Sequence, residues 1–189
     1  MDKATAEASP SPAPPPPPPR VLVVDPNKGN LSVLVRRLGE AGYRVTAAER
    51  GGAAIAELHR QPVDLVLAEL YMPGISGADL TRMVRSIAKW RDLPVMLITG
   101  KSRPNGAVQA YQAGADDVIL KPFHFEVLFA RIDRRIARAQ SLKSLRDDNA
   151  ALDARVVTRA IELGDMRDRW LASEAERRRL ECLLGPRSA

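Results

Sequence analysis

Four polar side chains each follow an apolar run. Asp25 ends Val21-Leu22-Val23-Val24, Glu69 ends Leu65-Val66-Leu67-Ala68, Thr99 ends Pro94-Val95-Met96-Leu97-Ile98, and Lys121 ends Asp117-Val118-Ile119-Leu120. Two carboxylates, a hydroxyl and an ammonium at the ends of buried segments make a charged pocket. The simplest chemistry open to them is electrostatic: a Glu69–Lys121 ion pair would satisfy two partly buried charges. Other residues with catalytic or ligating capacity are sparse. His59 and His124 lie in neither an HD nor an HExxH arrangement and fit surface or capping positions. The single Cys182 excludes an internal disulfide framework and fits a reducing compartment. Trp170 fits packing better than cofactor contact. No catalytic residue and no cofactor is expected, and the chain does not present itself as an enzyme.

The elements that must hold these groups alternate along the chain. Val21–Val24 is a strand, and the amphipathic stretch Leu31, Val33, Leu34, Leu38 is a helix with Asn27 or Asn30 as N-cap and Gly42 beyond its end. Tyr43–Ala48 predicts a strand, Ala53–His59 a short helix, and Val63–Ala68 a third strand whose unbroken apolar run implies cover on both faces. Ala78–Ile87 predicts a helix, Pro94–Thr99 a strand, Ala107–Ala113 a helix ended by Gly114, Asp117–Leu120 a strand and Phe125–Ala139 a helix. Five strands alternating with helices predict an α/β fold with a doubly wound, five-stranded parallel sheet. Right-handed crossovers favour the flavodoxin-like order 2-1-3-4-5, and sites in such sheets lie at the carboxyl ends of the strands.

With these residues placed, positions 20–139 resemble a two-component response-regulator receiver domain. The resemblance rests on Asp25, on Glu69 with Met72-Pro73-Gly74 and Gly77 behind it, on Thr99-Gly100, and on Lys121-Pro122-Phe123. It implies a cis Lys121–Pro122 bond, X–Pro being where such bonds occur. It also implies a phosphoaccepting aspartate where Glu69 stands, and a Mg²⁺ ion held by that acid and by two acidic residues after the first strand. The chain departs from this pattern three times. Pro26 supplies no side-chain oxygen where the second acid would be, and Tyr71 can add only its backbone carbonyl. Mg²⁺ demands several oxygens in near-octahedral geometry, so its site is expected to be lost at Pro26. Glu69 carries its carboxylate about an ångström or more too far for phosphoryl transfer, a displacement that could cost about a hundredfold. It is expected to reach Thr99 and Lys121 unaided, imitating in part the phosphorylated state. Val118 stands where many receivers carry an aromatic whose rotamer follows activation. The implied protein is a pseudo-receiver with Glu69, Asp25, Thr99 and Lys121 as a degenerate phosphoacceptor pocket.

Beyond Ala139 the helical composition continues to Gly185-Pro186. Heptad position a falls on Leu142, Asn149, Val156, Leu163, Trp170, Arg177 and Leu184, and d on Leu145, Leu152, Arg159, Met166, Ser173 and Leu180. Nine of these thirteen positions are apolar, which argues for a coiled coil, and Asn149 at a favours a parallel two-stranded pairing in register. The dimerisation residues are Leu142, Leu145, Asn149, Leu152, Val156, Leu163, Met166 and Trp170. Arg159, Ser173 and Arg177 weaken the seam, and Gly164 costs about 1 kcal/mol against alanine. A helix folded back on its own receiver is the other arrangement open to this segment. The tail also resembles the helical linker between receivers and output domains, as in cyclic-dinucleotide phosphodiesterases of the HD-GYP type. No output domain is expected here.

The expected organisation is a disordered Pro-rich tail over 1–19, the receiver over 20–139, the coiled-coil helix over 140–184 and a terminal tail over 185–189. A net charge of +6 and a pI of 9.9 permit an acidic partner without requiring one. A DNA-binding regulator acting through the basic helical tail is one alternative, and a phosphorylatable regulator of a phosphorelay another. No apolar run approaches the ~18 residues of a membrane span. The expectation is a cytoplasmic, homodimeric signalling protein with a histidine kinase or output protein as partner, and without membrane or nucleic-acid contact.

Overall fold

The computed structural model describes residues 17–100 and 105–184. The Pro-rich segment lies outside them up to residue 16, as does the terminal segment 185–189. The elements run β1 (Arg20–Val24), α1 (Lys28–Glu40), β2 (Arg44–Ala48), α2 (Gly51–Arg60), β3 (Leu65–Glu69), α3 (Gly77–Ser86), a 3-10 turn (Ala88–Trp90), β4 (Val95–Gly100), α4 (Gly106–Gln112), β5 (Asp117–Lys121) and α5 (Phe125–Leu184). The five strands form one parallel sheet in the order β2-β1-β3-β4-β5. This is the doubly wound, flavodoxin-like architecture that the alternation predicts.

Each strand's apolar run divides between two faces because successive side chains point oppositely. Val21, Val23, Leu65, Leu67, Met96, Ile98 and Ile119 pack with Leu31, Leu34 and Leu38 of α1 and with Leu128, Ile132 and Ile136 of α5. Leu22, Val24, Val66, Ala68, Val95, Leu97 and Val118 pack on the other face with α2, α3 and α4. With both faces covered, neither row can be polar, and the strands lose their visible alternation.

Local sequence fixes the helix starts near the strand ends. Asn27 caps α1 by accepting from the Asn30 N–H at 3.0 Å. Ser76 and Asp79 form a capping box at α3. The turn between β3 and α3 uses Gly74 at φ 75°, in left-handed backbone that a side chain disfavours. The Lys121–Pro122 peptide is cis. Among the described residues, no helix is long and apolar enough to cross a membrane.

The chain divides into two compact units, Met1–Ala139 and Gln140–Ala189. As the unbroken helical composition predicts, the helix that starts at Phe125 runs on past Ala139 and is continuous in secondary structure to Leu184. No Pro or Gly lies near residue 139 to break it, so nothing local ends the hydrogen-bond ladder there. In the second unit Leu142, Leu145, Leu152, Val156, Leu163, Met166, Trp170 and Leu180 are all exposed within the single chain.

Candidate functional site

Asp25, Glu69, Thr99 and Lys121 all lie at the carboxyl edge of the sheet, but the strand alternation sorts them. Asp25 continues the row Val21, Val23; Glu69 continues Leu65, Leu67; Lys121 continues Ile119. All three rows face α1 and α5. Thr99 continues Val95, Leu97, the row that faces α2, α3 and α4.

The structure accordingly brings three of the four groups together. Lys121 Nζ donates to Glu69 Oε2 at 2.7 Å and stands 3.6 Å from Asp25 Oδ2. Glu69 Oε1 accepts a long bond from the Tyr71 N–H at 3.4 Å. Asp25 is 2% exposed; its Oδ1 accepts from the Asn27 N–H at 2.8 Å, while Oδ2 has no hydrogen-bond partner among the described residues. One ammonium therefore serves two carboxylates, the nearer by a charge-assisted hydrogen bond and the farther by Coulomb attraction alone.

The expectation that Glu69 reaches Thr99 is corrected. Thr99 is fully buried, and its Oγ1 has no hydrogen-bond partner among the described residues. Its hydroxyl lies instead under the first turn of α4, where a Cβ built on Gly106 would come within 2.9 Å of it. The cause is strand parity. Glu69 pairs in register with Ile98, so Thr99 is one step further along β4 and on the other row. That signal was present in the sequence, since counting alternate residues back from Thr99 gives Leu97 and Val95.

Mg²⁺ can be tested against this donor set. Pro26 contributes no oxygen. Both Glu69 oxygens are engaged, and the ammonium of Lys121 stands within 3.6 Å of both acids. Among the described residues, no group of three His, Cys, Asp or Glu side chains could hold a metal ion. A hard cation takes about six oxygens, waters among them, and here it would have to share both acids with the Lys121 ammonium.

Other residues singled out from sequence lie elsewhere. His59 occupies the last turn of α2 and packs edge-on against Trp90, ring centroids 4.6 Å apart. His124 precedes α5, its carbonyl accepting from the Leu128 N–H at 3.2 Å. Cys182 is exposed. Tyr71 offers more than its backbone carbonyl: its hydroxyl donates to Gln109 Oε1 of α4 at 3.2 Å. Only its closeness in sequence to Glu69 pointed to it.

The family model for the response regulator receiver domain matches residues 21–133. The chemotaxis protein CheY of Pseudomonas aeruginosa is 31% identical over 120 residues, covering 63% of this chain and 97% of that protein. A Vibrio cholerae protein named probable cyclic di-GMP phosphodiesterase is 32% identical over 161 residues, 84% of this chain. The chain spans only 36% of that relative's length. A solved structure, the receiver domain of the sensor histidine kinase PA1611 from Pseudomonas aeruginosa with a magnesium ion in its active-site cleft, gives a TM-score of 0.60 at 29% identity, covering 64% of this chain and 98% of that one. The sheet order, the carboxylates and lysine gathered at its edge, and a family match over more than half of the sequence place the conclusion beyond fold alone: the chain belongs to the response regulator receiver domain family of bacterial two-component signalling.

Proposed function

We propose that this receiver is a pseudo-receiver that signals without phosphorylation. It acts by protein–protein interaction, and its helical tail pairs two copies. It is not an enzyme and uses no cofactor. The observation that carries this reading is the Lys121 ammonium, held 2.7 Å from Glu69 and 3.6 Å from Asp25. A lysine so placed does the neutralising that a divalent cation would otherwise do, and it holds the Glu69 carboxylate in a fixed pose. Phosphoryl transfer depends on positioning and charge stabilisation, and a displaced, engaged carboxylate without a metal supplies neither. Glu69, Asp25 and Lys121 then form a permanently charged pocket. Thr99 lies beside it on the α4 side.

The tail supports a homodimer. Its apolar a and d residues are exposed in the single chain, an arrangement that a second helix would relieve. The 161-residue match to the Vibrio protein is longer than residues 1–139 and so takes in part of the tail. A histidine kinase or an output protein is the natural partner, in the cytoplasm. Residues 140–184 hold nine basic and nine acidic side chains, so DNA contact through the tail lacks a net electrostatic term.

A second reading is favoured by one observation. The Thr99 hydroxyl, without a hydrogen-bond partner among the described residues, is a group that an oxygen of a bound phosphoryl group could satisfy, which would suit a phosphorylatable regulator. Incubation with acetyl phosphate and Mg²⁺, followed by intact mass, separates the two. The pseudo-receiver keeps its mass; an added phosphoryl group mapped to Glu69 would establish the second reading instead.

A further inference from the structure

Tyr71 touches both the acid pocket and α4. It lies two residues beyond Glu69, half-buried, packed against the core layer that α2, α3 and α4 cover. Its N–H donates to Glu69 Oε1 and its hydroxyl to Gln109 Oε1 of α4. Between these ends lies the bare Cα of Gly106, where a Cβ would come within 2.9 Å of Thr99 Oγ1 and 3.3 Å of the Tyr71 hydroxyl. The first turn of α4 is therefore seated on Thr99 and Tyr71 together.

This helix has little to hold it locally. It spans seven residues, has no side-chain hydrogen bond at its N-cap and no acidic residue in its first turn. Helices that short are not stable alone, so tertiary contacts decide where α4 sits. Val118, which packs on the same face, offers no polar group. Gln109 is the α4 side chain that takes the hydroxyl. Val108 and Tyr111 on the same helix are exposed, so the seating of α4 sets an apolar surface that the domain presents.

We propose that Tyr71 is a positioning residue that couples the Glu69 carboxylate to α4, its backbone N–H held by the acid and its hydroxyl by Gln109. The inference rests on the reading of Glu69 as a permanent occupant of the pocket. The acid's pose is then conveyed along one residue to the helix, without a phosphoryl group and without an aromatic on β5.

Amide hydrogen exchange on the full chain, never exposed to a phosphodonor, tests this. Tyr71→Phe keeps the ring and removes only the hydroxyl. Exchange at residues 109–113 is expected to quicken about fivefold, the scale of one net hydrogen bond, with β1 and β3 amides unchanged. Glu69→Ala is expected to quicken the same amides when Tyr71 is present, and to add nothing when residue 71 is Phe. That non-additivity is a signature a purely structural tyrosine would not give. Unaltered α4 exchange in Tyr71→Phe would overturn the coupling, as would an undiminished effect of Glu69→Ala in the Phe background. A phosphoryl adduct in the mass experiment would instead remove the reading of Glu69, so the two failures are told apart.

Discussion

Lys121 sets the charge balance of the pocket. Without its ammonium, Glu69 and Asp25 would remain as neighbouring anions, the second of them buried. Breaking a fully buried pair costs about 3–5 kcal/mol. The Lys121 side chain keeps 32% exposure, and solvent screening brings the expected loss for Lys121→Met to roughly 1–2 kcal/mol. It would appear as a lower urea midpoint with an unchanged slope. On the proposed reading Lys121 takes the place of Mg²⁺: the thermal midpoint of the unaltered chain is expected to coincide in EDTA and in about 10 mM MgCl₂, since only an ion bound to the folded state raises it. A rise of several degrees would mean that the acids give up Lys121 for a metal. At this scale the sequence was legible by residue type and strand position but not by contact. Asp25, Glu69 and Lys121 share a row and meet; Thr99, on the opposite row, does not join them. The hydroxyl of Tyr71 was invisible because its partner Gln109 lies 38 residues away on another element.

The elements themselves were more readable, for reasons that differ along the chain. Strands β1, β3 and β4 announce themselves as apolar runs because both faces are covered. The start of α2 at Gly51 is not legible, since two consecutive glycines argue against helix until tertiary packing overrides them. The Ala88–Trp90 turn has no periodicity to detect. The continuity of α5 follows from an absence of breakers, but the sequence pattern changes phase near residue 139, where the apolar face of Leu128, Ile132 and Ile136 gives way to the seam beginning at Leu142. That seam belongs to the proposed dimer. Replacing Leu152 and Val156 together with serine is expected to convert a dimer at micromolar concentration into a monomer by sedimentation, while the near-ultraviolet spectrum of the first unit stays the same. A wild-type chain that sediments as a monomer at that concentration would remove the pairing.

Across the first unit, ties between distant segments decide the response to solvent conditions. Tyr43, just before β2, donates its hydroxyl to Asp133 Oδ1 at 2.5 Å and lies 3.4 Å from the Phe129 carbonyl oxygen, both on α5. Burial, and then the hydrogen bond to the Asp133 carboxylate and its negative charge, push the phenol well above its usual value of 10. The folded chain thus holds this proton more tightly than the unfolded one. The associated stability is complete below about pH 10 and is lost as pH rises towards the folded value. Tyr43→Phe is expected to lower stability at neutral pH by about 1 kcal/mol and to flatten the decline that sets in above about pH 10, measured as urea midpoints on either side of it. An equally steep decline in the variant would assign it to other groups. The α5 residues that line the core end at Ile136: Leu128, Ile132 and Ile136 are buried in that layer, and Phe125 and Phe129 pack against it half-buried. No residue of this core layer falls in the second unit. Substitutions in that stretch leave the packing of this layer as it is.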